Sequence, residues 1–470
     1  MRINLPAVAS TGRPTGSAAN RPLASLSLIV LLSSLASSIA NVGLPALAQV
    51  FNASFANVQW VVIAYLLSVT ALVVSAGRLG DQMGRRRLLL AGIWLFTAAS
   101  VLCGLAPSLG WLIAARAVQG IGAAVMMALT LALAGETAPK AKTGSAMGFL
   151  GTMSAVGTAM GPVLGGLLIA GFGWRFMFVI NLPLGLLAVW LASRYLPQDA
   201  TLPKTRRIRF DVPGAVLLAV TLVAYALAMT TVRDESVLLL LLTATAVGLG
   251  LFLWVESRTV APLIRLSLFR QAVFSRGFAM SALVTTVMMS TLVVGPFYLD
   301  GALGLSPVLT GLVMSAGPAA AALAGVPSGL MVDRFGATPM TVCGLAAMLA
   351  GAMLLSILSG TWGIPGYVAP LMCLTAGFAL FQAANNTAVL ANTGPQQRGV
   401  ISGLLNLSRN LGFITGATVM GAVFAWTMVN AQVTAPEAVA AGMRMTFAVA
   451  SALILAAIFI ASLKRDSSTD

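Results

Sequence analysis

The stretch GRLGDQMGRRR, Gly77 to Arg87, is out of keeping with everything around it. Charged residues make up 8% of the chain, yet Arg78, Asp81, Arg85, Arg86 and Arg87 crowd together here between two long apolar runs. A charged cluster in that setting reads as a short turn joining two membrane-spanning helices. Arg85, Arg86 and Arg87 are explained by an anchor that keeps the turn in the cytoplasm. Asp81 and the glycines at 77, 80 and 84 need another reason.

The flanks set the class. Hydrophobic residues are 59% of the 470 and the mean hydropathy is +0.95, so too few polar side chains exist to cover a soluble globule. Apolar runs recur along nearly the whole chain, which points to one polytopic all-α membrane protein rather than a soluble domain with an anchor. The sequence has no histidine, so metal sites of the usual kind are not expected and a proton switch must use a carboxylate or another group. Cys103, Cys343 and Cys373 lie within apolar runs, as buried thiols rather than a disulfide framework. No cofactor is expected. The net charge of +15 comes from basic residues scattered between apolar spans, which fits membrane orientation and not nucleic-acid binding.

A helix needs about 20 residues to cross the hydrocarbon core, and there it satisfies its own backbone. On that basis the sequence predicts fourteen spans, the first from about Leu23 and the last ending near Leu463. Lys and Arg concentrate in segments on the side of the N-terminal tail. Arg175, Arg233 and Arg444 fall in the opposite loops, while Arg116 and Arg409 remain inside spans. This bias predicts that both termini are cytoplasmic. Residues 1–22 read as a disordered cytoplasmic tail, residues 466–470 as a short cytoplasmic tail, and the first apolar run as a retained helix rather than a signal peptide.

The opening pattern returns. Gly77-x3-Asp81-x2-Gly84 has a counterpart in GLMVDRFG, Gly329-x3-Asp333-x2-Gly336, in a turn at the matching topological place. Such repetition implies two related halves: six helices in 23–196, two extra helices in 197–272, and six more in 273–465. With this pattern the chain resembles the major facilitator superfamily, and within it the 14-helix drug/proton antiporter branch. GRLGDQMGRRR resembles the superfamily's signature loop between helices two and three. LIAARAVQGIGAA (Leu112 to Ala124) resembles its Arg-containing motif of helix four, and GTAMGPVLGG (Gly157 to Gly166) the glycine and proline motif of helix five in exporters. VQWVVIAYLL (Val58 to Leu67) and GWRFMFVINLPLG (Gly173 to Gly185) are similar to features of the 14-helix branch. The resemblance implies two six-helix halves plus two linker helices, with both termini inside; the richness in Ala and Leu with short loops fits a bacterial inner membrane. The resemblance also implies a cytoplasmic latch formed by Gly77, Asp81, Gly84 and Arg85, with Asp333 as the weaker counterpart. Near a helix start, Asp81 also suits a helix N-terminus or an Arg partner.

Gly157, Gly161 and Gly165 recur every four residues and make a smooth stripe for close helix contact, while Pro162 favours a bend. Polar residues inside the spans carry the functional signal. An Arg at the centre of a span costs about 2.5–3.5 kcal/mol on insertion scales, so Arg116 and Arg409 each face a wet cavity or a partner such as a carbonyl. Gln119 stands one turn from Arg116, and Asn406 shares a face with Ser402, Arg409 and Phe413. Ser34, Ser38 and Asn41 fall on one face of the first helix, and Gln382, Asn385 and Asn386 cluster on the twelfth. Both groups read either as cavity lining or as interhelical hydrogen bonding. Tyr65, with Met288 and Met289, offers adaptable apolar contacts; Trp60 reads as an interfacial anchor. The two extra helices read as peripheral.

One departure stands out. The resemblance implies an Asp in the first helix, ahead of the stretch IANVGLP, but the sequence reads LASSIANVGLP with Ala36 at that place. Of the remaining acids, only Asp300, at the outer end of the ninth helix, is placed to face a central cavity. Asp300 is therefore the candidate proton carrier, acting with the Arg116 region. The expected partners are a small-molecule substrate, protons and membrane lipid. Three functions stay open at this level: export of amphipathic, drug-like compounds in exchange for protons; export of an anionic or neutral metabolite with weak or no coupling; and a non-transporting receptor or scaffold. No nucleotide-binding loop or catalytic segment is present, which argues against a primary pump or an enzyme.

Overall fold

The computed structural model describes residues 16–137, 143–199, 212–230, 235–259, 268–269, 271–357, 362–391, 398–431 and 433–463. Among these residues there are helices and no strands. The first part of the chain forms α1 (Gly16–Val42), α2 (Leu44–Val50), α3 (Phe55–Val58), α4 (Trp60–Met83) and α5 (Arg85–Gly104). It continues with α6 (Leu109–Thr137), α7 (Thr143–Phe172), α8 (Phe176–Val179) and α9 (Asn181–Tyr195). Two helices follow, α10 (Val212–Thr230) and α11 (Glu235–Arg258). The last part forms α12 (Ala272–Gly301), α13 (Pro307–Phe335), α14 (Ala337–Ser356), α15 (Gly363–Ala391) and α16 (Arg398–Thr415). After α16 come a π-helical turn (Gly416–Met420), α17 (Gly421–Asn430) and α18 (Ala435–Ser462). Fourteen stretches among the described residues are long and apolar enough to cross a membrane. An even number of crossings leaves both ends of the chain on one face, the terminal face, with the far face opposite. The helix α1 begins at Gly16, so residues 16–22 belong to it rather than to a tail.

Both copies of the glycine and aspartate pattern end in the same backbone geometry. Gly84 closes α4 at φ +96° and Gly336 closes α13 at φ +86°. A residue with a Cβ is strained in that region, and the next helix starts directly afterwards in both places. Asp81 lies in the last turn of α4; its side chain, like that of Arg78, lies outside the described residues. The carboxylate that serves the N-terminus of α5 comes from Asp199. Arg86 N donates to Asp199 Oδ1 at 2.9 Å, and Arg87 N donates to Oδ2 at 3.0 Å. A Cβ on Gly84 would collide with that carboxylate. Asp333 is exposed in the last turn of α13.

Each half supplies most of one apolar core, with Met289, Val293, Ile414 and Ala417 of the second half joining the first. Leu26, Phe96, Leu129 and Phe178 are buried together in the first, and Val287, Leu345, Leu374 and Phe447 in the second. The glycine stripe of α7 lies on α1: a Cβ at Gly157 would come 2.6 Å from the carbonyl of Leu31, and one at Gly161 would collide with the hydroxyl of Ser38. On its other side α7 meets α13, where a Cβ at Gly311 would collide with the carbonyl of Pro162, and one at Gly166 with that of Pro307.

The two extra helices differ. Only 6% of the span in α11 is buried, and it leans on α10, where a Cβ on Gly248 would come 2.5 Å from the hydroxyl of Thr221. By contrast α10 bridges the halves. Trp60 Nε1 of α4 donates to Thr230 Oγ1 at 3.3 Å, and Tyr225 donates to Thr415 Oγ1 of α16 at 3.2 Å. Leu222 and Ala226 join the first core, while Ala215 packs with Phe274, Phe278 and Leu404 of the second half. Trp60 is therefore a half-buried hydrogen-bonded link and not a free interfacial anchor. The three cysteines are free: Cys103 is buried, Cys373 intermediate and Cys343 exposed, the last differing from its expected burial.

Candidate functional site

The far face is closed by side chains from both halves. Phe55 of α3 packs against Phe297 of α12 with ring centroids 4.7 Å apart, and against Phe424 of α17 at 5.1 Å. Gln59 is buried beside them; a Cβ on Gly421 would collide with its side-chain oxygen, which has no hydrogen-bond partner. The close approaches of Gly166 and Gly311 to the neighbouring backbone lie in the same far half of α7 and α13. Glycines with open space stand in the terminal halves of α4, α7, α13 and α16, and Gly171 is another at the far end of α7. A Cβ at Gly77 of α4, Gly151 of α7, Gly325 and Gly329 of α13, or Gly403 of α16 would meet nothing within 4 Å. An apolar cleft of about 660 Å³ opens near this face between α1 and α7, lined by Leu23, Leu28, Leu31, Phe149 and Met153 among others.

Midway between the faces lies a cavity of about 140 Å³ shared by the two halves. Thr158 of α7 contributes from the first half. Met288 and Thr291 of α12, Met314 and Gly317 of α13, Tyr367, Thr375 and Phe378 of α15, and Phe413 of α16 contribute from the second. The spacing on each helix follows one face, as with Tyr367, Leu371, Thr375 and Phe378 on α15. Its lining contains hydroxyls, thioethers and aromatic rings, and no charged side chain. It is suited to an apolar body with a few hydrogen-bonding groups.

The expected site residues fall into separate places. Arg116 is fully buried within the first half. Its Nε donates to the carbonyl of Val61 at 2.9 Å, and its Nη1 donates to Gln119 Oε1 at 2.5 Å and to the carbonyl of Ala36 at 3.5 Å. Gln119 passes the chain on to Ser100 Oγ at 2.6 Å. The ring of Tyr65 covers the guanidinium at 4.3 Å, and its hydroxyl donates to the carbonyl of Ser33 at 3.4 Å. Tyr65, Arg116 and Gln119 thus tie α1, α4, α5 and α6 together and do not line the central cavity. Ala36 stands against the guanidinium, and Arg116 Nη2 has no partner. Ser38 donates to the carbonyl of Gly157 at 3.4 Å, and Asn41 donates back to Ser37 at 3.3 Å. Both are buried packing contacts.

A second group stands on the terminal side of the cavity, one helical turn from its lining residues. Gln382 lies four residues from Phe378, and Arg409 four residues from Phe413. Ser154, which shares a 2.8 Å hydrogen bond with Ser34, lies four residues from Thr158. Residues four apart share a helix face, so these polar groups form a rim. Asn406 belongs to it, accepting from Arg409 Nη2 at 2.8 Å. Asn386 is half-buried on the same face of α15, and Asn385 instead donates to the carbonyl of Gly277 on α12 at 3.1 Å. Asp300 is half-buried in the last turn of α12, near the far face and three residues beyond Phe297. The side chain of Ser402 lies outside the described residues.

Thr158, Thr291, Met314, Tyr367, Thr375, Phe378 and Phe413 were not singled out by sequence as cavity residues, and neither were the rings at the far face. Threonine, methionine and phenylalanine at helical spacing look the same whether they pack a core or line a cavity. Among the lining residues, Met288 carried a signal as an adaptable apolar contact and Phe413 as a member of the Arg409 face.

Helices that span a membrane in two packed halves, sealed on one face around a shared cavity, define a membrane transporter. The profile of the Major Facilitator Superfamily matches residues 26–417 and 277–469, and the chain belongs to that family. It is similar to the riboflavin transporter RibZ of Clostridioides difficile, with 32% identity over 85% of this chain and 87% of that protein. It is also similar to the multidrug resistance protein Stp of Mycobacterium tuberculosis, with 32% identity over 82% of this chain and 72% of that one. Among solved structures, a bacterial homologue of the human lysosomal transporter Spinster, inward-facing and occupied, superimposes with a TM-score of 0.69 at 17% identity. That match covers 96% of this chain and 97% of the other, which confirms the fold. The protein is an integral membrane transporter and not an enzyme.

Proposed function

We propose that this chain is a secondary active exporter that carries small amphipathic compounds out of the cytoplasm by alternating access, in exchange for protons. The observation that carries the reading is the shared central cavity, closed toward the far face by Phe55, Phe297 and Phe424, with a further apolar cleft between α1 and α7 on the terminal side. With both termini in the cytoplasm of a bacterial cell, that arrangement is a state loading from inside. The helix-five motif and the resistance relatives support export. The domain division at 23–196, 197–272 and 273–465 is part of the proposal, with the halves as the rocking bodies and the turn at Gly77, Asp81, Gly84 and Arg85 as their latch, paired with Asp333. Asp300 is the proposed coupling carboxylate.

A second reading, export of a neutral or anionic metabolite with weak coupling, is favoured by one observation: the cavity has no carboxylate to attract a cation. The test is compound-driven proton movement in proteoliposomes, using cationic, neutral and anionic amphiphiles, with Asp300→Asn beside the parent. Proton flux triggered by a compound and lost in Asp300→Asn supports the antiporter. Compound flux without proton movement removes the coupling and leaves the second reading; no flux for any compound removes both.

A further inference from the structure

We infer that Arg409 forms an anion subsite on the terminal-side rim of the cavity, so that the preferred substrate has an apolar body and one carboxylate or phosphate group. The inference rests on the transport reading above and sharpens its substrate class.

The helix α16 has two characters. Ile401, Leu404, Leu405, Leu407, Ser408 and Asn410 are buried against the second half, with Ser408 donating to the carbonyl of Phe278. Asn406, Arg409 and Phe413 are half-buried and recur at offsets of three and four, which places them on one face. Phe413 lines the cavity, and Arg409 stands about 6 Å along the axis toward the terminal face. Asn406 continues the face one turn beyond Arg409. The face therefore runs from the cavity toward the terminal face of the protein.

Arg409 is not used up by the protein. Among the described residues its guanidinium has no carboxylate within ion-pair distance, and the partner it has is a neutral amide oxygen of Asn406. That single bond holds the fork in place and leaves donors for a bidentate acceptor, the geometry that carboxylate and phosphate oxygens match. Arg116 makes the contrast: its guanidinium is sealed among carbonyls, Gln119 and Tyr65, where no ligand reaches it. With an uncharged cavity on one side, Arg409 is the charge that sets selectivity, and Gln382 on α15 offers a further amide on the same rim.

The experiment uses the full-length purified protein and a matched pair of probes, naphthylacetate and its uncharged amide, with affinity read by isothermal titration. The parent is expected to bind the anion at least about tenfold more tightly than the amide, the scale of a charge-assisted hydrogen bond. In Arg409→Gln that preference for the anion over the amide disappears, and in Arg409→Lys part of it returns. Unchanged melting temperature in the variants confirms that they are folded. A preference for the anion that survives in Arg409→Gln overturns the subsite and leaves the transport reading intact. So does a parent that binds both probes equally. If neither probe binds and no amphiphile of any charge is moved in proteoliposomes, the transport reading falls together with the subsite.

Discussion

Replacing Phe55 by alanine removes two ring contacts that join the halves at the closed far face. Phe55 belongs to the first half, while Phe297 and Phe424, at centroid distances of 4.7 and 5.1 Å, belong to the second. An aromatic pair is worth about 0.5–1.5 kcal/mol beyond its buried area, so losing two costs about 1–3 kcal/mol. Contacts across the halves break when that face opens, so the loss falls on the closed state and shifts the equilibrium toward far-face opening by about 5- to 150-fold. Spin labels at Asn57→Cys and Val429→Cys, both exposed at that face, report the separation by pulsed electron resonance. The background carries Cys343→Ser, because Cys343 is the exposed native thiol. The expected result is a new long-distance population in Phe55→Ala and a smaller one in Phe55→Leu, which keeps apolar volume but not the ring. A distance distribution identical to the parent in Phe55→Ala refutes the gate.

Other outcomes follow from the same contacts. Gly84→Ala meets both a positive φ and the Asp199 carboxylate, whereas Gly336→Ala meets only the positive φ, with Pro339 Cδ 4.0 Å away; backbone strain costs about 1–3 kcal/mol. Thermal unfolding in detergent should therefore show the larger loss at Gly84. Arg116→Lys cannot reproduce the fork to Val61 and Gln119, and with charged hydrogen bonds worth about 1.5–3 kcal/mol each it should lower the melting temperature and yield. The compound affinity of whatever folds should stay unchanged, and a stable Arg116→Lys protein with altered affinity would count against the sealed network. Tyr225→Phe loses the 3.2 Å bond from α10 to Thr415, worth about 1 kcal/mol. It should move the spin-label distribution in the direction of Phe55→Ala, with no further effect in a Thr415→Val background.

The sequence by itself determined the parts of this protein that are local in the chain. A bilayer forces each span to satisfy its own backbone within about twenty apolar residues, so the spans and the family were legible from hydropathy and motif. The repeated turn was legible too, because Gly84 and Gly336 must take positive φ where one helix ends and the next begins. Arg116 and Arg409 were legible as unusual but not as different: each has an amide three residues away. Only packing decided that one is sealed inside the first half and that the other stands half-buried beside the cavity. The carboxylate at the start of α5 comes from Asp199, 113 residues from Arg86, and the far face is closed by rings from three distant segments. The bridging role of α10 was likewise invisible, since its composition is that of any apolar helix. Hydropathy and periodicity report which face of a helix is covered, but the identity of the covering helix is a pairwise matter between distant segments, and only the tertiary structure supplies it.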